Sequence, residues 1–324
     1  MKYITTLLLI IGLCLAVFLI KNTGPSTIMN ALTQSEVALI FIGLLIFIFS
    51  ILIRAMKWNI LVNITSSRKI PFMQLVPVCL FNNMISYFTP ARSGDVMAPM
   101  LLRRRLDTFV GSGFSVVIID RLIEAACLFI GMFAAGIYFF YATQSRDSLF
   151  NFFMYALMLC LTVFAAAAVV FMSKKTCNAV LIWAEGKKLP DFFGRFFAFI
   201  RREGNFFFAG AKKIGFQDIF FKLFPLTILA WSCDMFAVFC FFSSVMAIDF
   251  IHLTMTLFLS SGIAIASFIP GGFGSGELSQ YYLLKNMGYS SSSLMAGILV
   301  ARFIPLALIL VSGFISFFII KKST

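Results

Sequence analysis

The stretches FTPARSGD (residues 88–95) and FIPGGFGSGE (residues 268–277) each interrupt an apolar part of the chain. Each contains a helix-breaking proline and glycine and ends in a carboxylate, and the residues that follow recur at similar spacing. Unpaired backbone groups at membrane depth are tolerated only where they line a cavity in the protein. Interrupted segments at matching places in two halves therefore indicate a transporter's binding site. The recurring residues are Leu101, Leu102, Arg103 and Arg121 after Asp95, and Leu283, Leu284, Lys285 and Arg302 after Glu277.

The composition is that of a membrane protein. Hydrophobic residues make up 61% of the chain and charged residues 12%, whereas soluble domains are about a quarter charged. Several apolar runs approach or reach the ~20 residues needed to cross about 30 Å of hydrocarbon. We therefore predict an all-α polytopic membrane protein, with a retained first helix and about six full spans. The predicted spans are residues 3–20, 37–55, 110–142, 150–172, 223–247 and 290–320.

The distribution of Lys and Arg predicts the topology, because short cytoplasmic loops are enriched in these residues. We assign the loop 54–71, with Arg54 and Lys57, and the cations at 103–105 to the cytoplasm, so residues 72–100 must form a re-entrant hairpin. A second hairpin, residues 253–284, enters from the opposite face and leaves both termini cytoplasmic. This arrangement puts 20 cations inside and 3 outside. It predicts one transmembrane domain over residues 1–324, built from an inverted repeat.

A basic linker separates the two predicted halves. Residues 173–222 contain ten cations and four acids, which favours a cytoplasmic location. Within the linker, residues 191–202 interleave aromatic and basic side chains, a pattern typical of a helix on the anionic inner leaflet. A solvated connector with a few packed aromatic rings is the alternative. The net charge of +13 reflects this topology, and we expect no nucleic-acid partner.

Charged residues also lie inside apolar runs. Asp120, Arg121 and Glu124 fall within one predicted span, and charges at this depth usually face a cavity or pair with each other. Two interpretations remain open: an ion pair that joins helices, or an arginine that faces an anionic ligand and is oriented by its acids. Asp234 is an isolated acid that could pair with any of the intramembrane arginines.

The candidate site combines these charges with the two breaks. Glycines allow the backbone to approach a ligand, arginines bind phosphate groups, and the acids would orient the arginines, cap the following half-helices or accept a coupling proton. The candidate substrate-binding residues are Arg92, Arg121, Arg302, Gly271, Gly272 and Gly274. The candidate coupling or orienting residues are Asp95, Asp120, Glu124 and Glu277.

Enzyme and metal sites are not indicated by any motif. Residues 271–276 are glycine-rich but do not fit the dinucleotide-binding pattern G-x-G-x-x-G, and no Walker or G-x-S-x-G motif occurs. The seven cysteines show no metal-ligand spacing, and His252 is the sole histidine. We expect no catalytic residues, no metal and no cofactor.

The segments 83–95, 101–104, 120–124 and 269–277 together resemble the lysylphosphatidylglycerol synthase transmembrane-region family. This flippase-like family includes the membrane domain of the multiple peptide resistance factor. Asp95 stands where family members often have Glu. No soluble synthase domain follows in this sequence, so the resemblance implies that this chain does not make lysylphosphatidylglycerol alone.

The resemblance implies a lipid translocase in a bacterial or archaeal cytoplasmic (inner) membrane. Its expected partners are a phospholipid headgroup or a polyprenyl-phosphate-linked glycan. One alternative is a non-catalytic partner subunit of a glycosyltransferase or lipid-modifying enzyme, and another is an intramembrane transferase or phosphatase.

Overall fold

A computed structural model describes residues 33–66, 69–106, 110–143, 206–267, 269–289 and 291–322, and four positions between 21 and 30. Within these ranges the regular structure is helical, and no strand occurs. The main helices are α1 (Val37–Thr65), α2 (Phe72–Tyr87), α3 (Ala98–Leu106), α4 (Val110–Thr143), α5 (Phe224–Ser243), α6 (Phe250–Ala266), α7 (Ser275–Asn286) and α8 (Ser291–Lys322).

Three described helical stretches are long and apolar enough to cross a membrane: α1, Phe216–Ser243 and Ser293–Lys322. The 29 residues of α1 extend for about 44 Å at 1.5 Å per residue, which exceeds the hydrocarbon thickness of about 30 Å. The mean hydropathies of the three stretches, in the order given, are 2.8, 1.8 and 2.6. The chain is thus a helical membrane protein, as its composition predicts.

Helices α1 and α5 pack in an antiparallel pair. Ser50 Oγ donates to the carbonyl oxygen of Ala230 at 3.2 Å, and seven residues later Lys57 Nζ donates to Thr227 Oγ1 at 3.2 Å. Gly43 allows the close approach of the two helices near Phe241, because a Cβ at position 43 would lie 2.6 Å from that ring. This pairing puts the middle of α5 beside the second half of α1.

The first broken segment consists of α2, a 3-10 stretch over Pro90–Met97, and α3. The break folds back onto the last turn of α2. A Cβ added to Gly94 would lie 2.9 Å from Ser86 Cα, so only glycine fits at this contact. The backbone N–H of Gly94 donates to Thr89 Oγ1 at 2.7 Å, which holds the turn.

The second broken segment consists of α6, a 3-10 turn over Pro270–Gly272, and α7, and its two helices pack against each other. Gly271, Gly272 and Gly274 have φ angles of 62°, 65° and 78°, which are in the left-handed region that favours glycine. Each of the two predicted breaks is therefore present in the structure. A long helix follows each of them, α4 after the first and α8 after the second.

The helix boundaries differ from the predicted spans mainly in α1. We predicted a span over 37–55 and a cytoplasmic loop from residue 54, but α1 continues to Thr65. Arg54 and Lys57 therefore lie within a helix, and Lys57 is only 1% exposed. The prediction was wrong because their charge was taken as a loop signal, although apolar residues continue on both sides. When Arg54 and Lys57 are removed from the count of cytoplasmic cations, the predicted inside positions still hold many more Lys and Arg residues than the outside positions.

The other boundaries shift by a few residues or fall outside the described part of the chain. The predicted linker extends to residue 222, whereas Phe216–Asp218 and a π-helical turn over Ile219–Leu223 already lead into α5. The predicted spans 3–20 and 150–172 and the basic aromatic segment 191–202 lie outside the described residues.

Candidate functional site

The first break positions Asp95 among three side chains. Asp95 Oδ1 accepts from Asn82 Nδ2 at 2.9 Å and from Ser86 Oγ at 2.5 Å, both on the inner face of α2. Asp95 Oδ2 lies 2.8 Å from Nε of Arg121 on α4. Asn82, Ser86 and Asp95 are all buried. The carboxylate therefore joins the break to both α2 and α4.

The second break positions Glu277 in a similar way. Glu277 Oε2 accepts from the backbone N–H of Gly274 at 2.7 Å and so caps the start of α7. Glu277 Oε1 lies 2.8 Å from Nε of Arg302 on α8. A second nitrogen of this guanidinium, Nη2, donates to the carbonyl oxygen of Gly271. One carboxylate and one backbone carbonyl of the break thus hold Arg302.

The two ion pairs correspond to each other across the repeat. In each half, the carboxylate of the break contacts Nε of the arginine on the following long helix at 2.8 Å. In both pairs the contact is an ion pair without the alignment of a hydrogen bond at Nε. The side chains of Arg121 and Arg302 are 27% and 25% exposed, although Nε of each is buried.

Aromatic side chains bring the two breaks together. The guanidinium carbon of Arg302 lies 5.2 Å from the ring centroid of Tyr87 and 4.9 Å from that of Phe273. The two rings meet edge to face, with centroids 6.0 Å apart. Tyr87 ends α2 in the first half, and Phe273 belongs to the second break. Arg302 therefore contacts both halves, within the range of cation–π attraction.

A buried ion-pair network extends from the first break to α1 and α5. Arg121 Nη1 lies 2.7 Å from Glu124 Oε2, and Glu124 Oε1 also pairs with Arg54 and, at 3.1 Å, with Lys57 Nζ. Lys57 Nζ lies 2.8 Å from Asp120 Oδ1. A buried charge is stable only when it is paired in this way. The network thus joins three helices, α1, α4 and α5, through side chains of alternating sign.

Asp234 is the network's contact on α5. It pairs with Arg54 and accepts a hydrogen bond from Ser50. We predicted that Asp234 could pair with Arg121 or Arg302. Its partner in the described part of the chain is instead Arg54, which had been assigned to a loop.

Comparison with known proteins identifies the family of the chain. A model of the family described as "Lysylphosphatidylglycerol synthase TM region" matches residues 4–313. The chain belongs to this family. A relative, the UPF0104 membrane protein PH1989 of Pyrococcus horikoshii, is 22% identical over 296 residues, which cover 87% of each of the two chains. The resemblance seen in the sequence is confirmed.

The structure of this lysylphosphatidylglycerol synthase TM-region protein brings most of the predicted site residues together. An ion-pair network at the first break contains Asp95, Asp120, Arg121 and Glu124, and an ion pair at the second break joins Glu277 to Arg302. Gly271 binds Arg302, and Gly272 packs against Ala264. For Arg92, only the backbone is described.

Sequence reasoning missed the polar partners on α1 and α2. Arg54 and Lys57 were placed in a loop, Ser86 and Tyr87 were quoted only as part of the family resemblance, and Asn82 was not singled out at all. A signal for the two cations was available: the predicted interior contained five acids and only three arginines. Because unpaired buried carboxylates are costly, this excess indicates further cations at the same depth.

The arrangement offers paired charges and no metal centre within the described ranges, where no three His, Cys, Asp or Glu side chains group together as metal ligands. Each arginine is already compensated by a carboxylate. A phosphate that enters must therefore share or replace that carboxylate as the arginine's partner. This exchange requires the acid to move, to find another cation or to take up a proton.

Proposed function

We propose that this protein is a lipid translocase, which moves a phospholipid or a polyprenyl-phosphate-linked glycan between the two leaflets. The observation that carries the proposal is the matched pair Asp95–Arg121 and Glu277–Arg302 at two breaks that touch through Tyr87. Translocation needs a polar path through hydrocarbon, and partly accessible arginines at paired helix breaks supply anion-binding groups along such a path. Membership of the family supports a lipid-related role.

In the proposed mechanism, the phosphate of the lipid headgroup binds Arg302 and Arg121 by replacing their carboxylates. Of these two arginines, Arg302 is the better positioned to bind a phosphate. Its guanidinium carbon lies close to two aromatic rings, and the group is fixed by Glu277 and the Gly271 carbonyl. Asp95 and Glu277 act as orienting groups, or as proton acceptors that release the arginines. No residue of the site is assigned a catalytic role.

We further propose the inverted topology for this site. In it, the segments α2–α3 and α6–α7 are re-entrant hairpins that enter from opposite faces of the cytoplasmic membrane, and both termini are cytoplasmic. The cation distribution supports this arrangement even after Arg54 and Lys57 are assigned to the interior.

The topology predicts which positions a membrane-impermeant thiol reagent can reach. In a cysteine-depleted variant, single cysteines at Ser67, Lys188 and Ser323 should react only after the membrane is opened, because these positions lie inside. Cysteines at Ser145 and Ser291 should react in intact cells. Labelling of position 323 in intact cells would contradict the inverted repeat.

The translocase proposal is tested by lipid transfer in vesicles. Purified protein is reconstituted with a fluorescent phosphatidylglycerol whose outer-leaflet fraction is quenched chemically, and a labelled polyprenyl phosphate serves as the second probe. Wild-type protein should speed the transfer of at least one probe over protein-free vesicles. A protein that moves neither probe would fit the partner-subunit alternative instead.

Neutralising the carboxylates of the breaks separates an orienting or coupling role from simple capping. Glu277→Gln keeps an acceptor for the Gly274 N–H but loses the charge that pairs with Arg302. We expect Glu277→Gln and Asp95→Asn each to lower the transfer rate by about tenfold, as expected when a charged interaction of about 1.4 kcal/mol is lost. The rate is measured in the same vesicle assay.

Asp249→Asn is the matched control. Asp249 is exposed and caps α6 through the N–H groups of Ile251 and His252, so its variant should transfer lipid at the wild-type rate. Transfer near the wild-type rate by both Glu277→Gln and Asp95→Asn would leave those two acids with structural roles alone.

A further inference from the structure

Carboxylates contact every nitrogen of the Arg121 guanidinium in the first half. Nε lies 2.8 Å from Asp95 Oδ2, and Nη1 lies 2.7 Å from Glu124 Oε2. Nη2 lies 3.5 Å from Asp120 Oδ2. An anion that approached this arginine would meet three negative charges, and like charges repel strongly where the dielectric constant is low. A phosphate can therefore reach Arg121 only after a carboxylate has left.

One nitrogen of Arg302 in the second half has no partner. Nε pairs with Glu277, and Nη2 donates to the carbonyl oxygen of Gly271. Nη1 makes no ion pair or hydrogen bond within the part of the chain that the structure describes, and it is not one of the buried atoms that lack a partner. Because a guanidinium has five N–H donors, Nη1 can donate to a ligand while Nε stays paired with Glu277.

The difference between the two arginines arises from two positions on the long helices. On α4, Asp120 and Glu124 stand one residue before the arginine and three residues after it. On α8, the corresponding positions hold Ala301 and Pro305, and neither carries a charge. The two halves therefore share an arginine and the carboxylate of the break, but the first half adds two further acids.

The other described neighbours of the Arg302 guanidinium carry no charge. Its carbon lies 5.2 Å from the ring centroid of Tyr87 and 4.9 Å from that of Phe273. These rings attract the cation, and they place no further negative charge beside it. An anion at Nη1 would thus meet the repulsion of Glu277 alone.

The charge of this pair limits the kind of phosphate that it accepts. Arg302 and Glu277 together carry no net charge, so a bound anion leaves the site with its own charge. A phosphodiester carries one negative charge, whereas a phosphomonoester carries about 1.5 to 2 at pH 7. Uncompensated charge is costly at membrane depth. The singly charged phosphodiester is therefore the favoured ligand.

We propose that Arg302 Nη1 makes the first contact with the phosphodiester of a lipid headgroup, while Glu277 stays paired with Nε. Arg121 binds no phosphate at this stage and acts as a positioning residue for the first break. The inference deepens the proposed function, because it identifies the atom and the charge class that the headgroup meets before any carboxylate is replaced. It rests on the proposed function for the view that the bound lipid is the transported one.

The test is protection of arginines from phenylglyoxal, a reagent that modifies guanidinium groups. The purified full chain is treated in a phosphate-free maltoside detergent, and modification of Arg302 and of Arg121 is quantified by mass spectrometry. Phosphatidylglycerol with hexanoyl chains should protect Arg302 at a concentration about tenfold below any that protects Arg121, the ratio expected for one hydrogen bond to a charged group. Protection of both arginines at the same concentration would overturn the proposal.

Two further probes define the ligand. Phosphatidic acid with the same chains is a phosphomonoester, and inorganic phosphate has no lipid part. Both should protect Arg302 only at higher concentrations than phosphatidylglycerol. Equal protection by phosphatidic acid would overturn the preference for a single charge. Equal protection by inorganic phosphate would overturn the assignment to a lipid headgroup and leave a site for free phosphate.

Two substitutions at one position give a matched pair of variants. Ala301→Asp puts an acid where the first half has Asp120, and Ala301→Asn puts a neutral side chain of the same shape there. Ala301→Asp should raise the phosphatidylglycerol concentration for half protection of Arg302 by about tenfold, and Ala301→Asn should leave it close to the wild-type value. Equal values in the two variants would contradict the role of the missing acid. Arg302 and Arg121 are compared in the wild type, so that comparison decides the proposal even if Ala301→Asp does not fold.

The phosphate site and the translocase give different patterns of failure, because protection is measured without transport. Selective protection of Arg302 in a protein that moves no lipid would leave the phosphate site standing and remove the translocase. Lipid transfer by a protein whose Arg302 is not protected would remove the phosphate site alone.

Discussion

Replacing Lys57 with methionine is expected to lower the free energy of unfolding by about 3–5 kcal/mol, the cost of removing one partner from a buried ion pair. Lys57 is 1% exposed, and its ammonium lies within 3.1 Å of carboxylate oxygens of both Asp120 and Glu124. Methionine fills a similar volume but leaves Asp120, among the described residues, with the longer ion-pair contact to Arg121 at 3.5 Å. The change is measured by denaturant titration in mixed lipid–detergent micelles.

A second variant identifies the cause of this loss. Lys57→Met combined with Asp120→Asn removes both charges of the pair, so it should recover most of the stability lost in Lys57→Met. Lys222→Met is the exposed control, because the Lys222–Asp218 pair lies at the surface and surface pairs contribute little. A double variant no more stable than the single one would contradict the assignment of Asp120 as the partner.

The stability of Lys57 variants bears on the two interpretations that the sequence left open for Asp120, Arg121 and Glu124. In the structure these residues form the ion pairs of the first interpretation, and the ligand-facing arginine of the second stays a proposal. They join α4 to α1 through Lys57 and Arg54, and they hold Arg121 toward Asp95. An ion-pair network that fixes helices can therefore also fix the orientation of Arg121, the arginine that we propose binds a ligand.

The helical class and the two breaks could be predicted from the sequence because both are local properties. Hydrophobic run length identifies the helices, and proline with glycine identifies where they stop. The left-handed φ angles of Gly271 and Gly274 are the reason that glycine is needed there. Local patterns do not specify the partners of a side chain more than one turn away.

The site depends on contacts between residues far apart in the sequence. Tyr87 and Phe273 meet although 186 positions separate them, and Arg54 reaches Asp234 across a gap of 180 positions. A helical pattern gives the face on which a residue lies but not which neighbouring helix covers it. Charge balance is the long-range signal that could have been used. Five interior acids against three predicted interior cations indicate that further cations lie at the same depth, and in the structure these are Arg54 and Lys57.

Replacing Arg302 with alanine should lower the rate of lipid transfer by about 10- to 100-fold, the range expected when hydrogen bonds to a charged group are lost. Arg302 contacts both broken segments, through Glu277, the Gly271 carbonyl and the rings of Tyr87 and Phe273. The measurement is the vesicle assay with fluorescent phosphatidylglycerol. Arg103→Ala, at an exposed cation after the first break, should transfer lipid normally.

Arg302→Lys separates charge from geometry. Lysine keeps the positive charge and can still pair with Glu277, but it lacks the planar group that contacts two rings while it pairs with Glu277 and donates to the Gly271 carbonyl. We therefore expect Arg302→Lys to recover little of the lost transfer.

Because Arg302→Ala leaves Glu277 as an unpaired buried acid, the variant Arg302→Ala with Glu277→Gln is compared with it. That double variant should fold like the wild type and still fail to move lipid, since it lacks the anion-binding group. Wild-type transfer by the double variant would mean that Arg302 serves only to neutralise Glu277, and transfer by Arg302→Lys at the wild-type rate would reduce its role to charge.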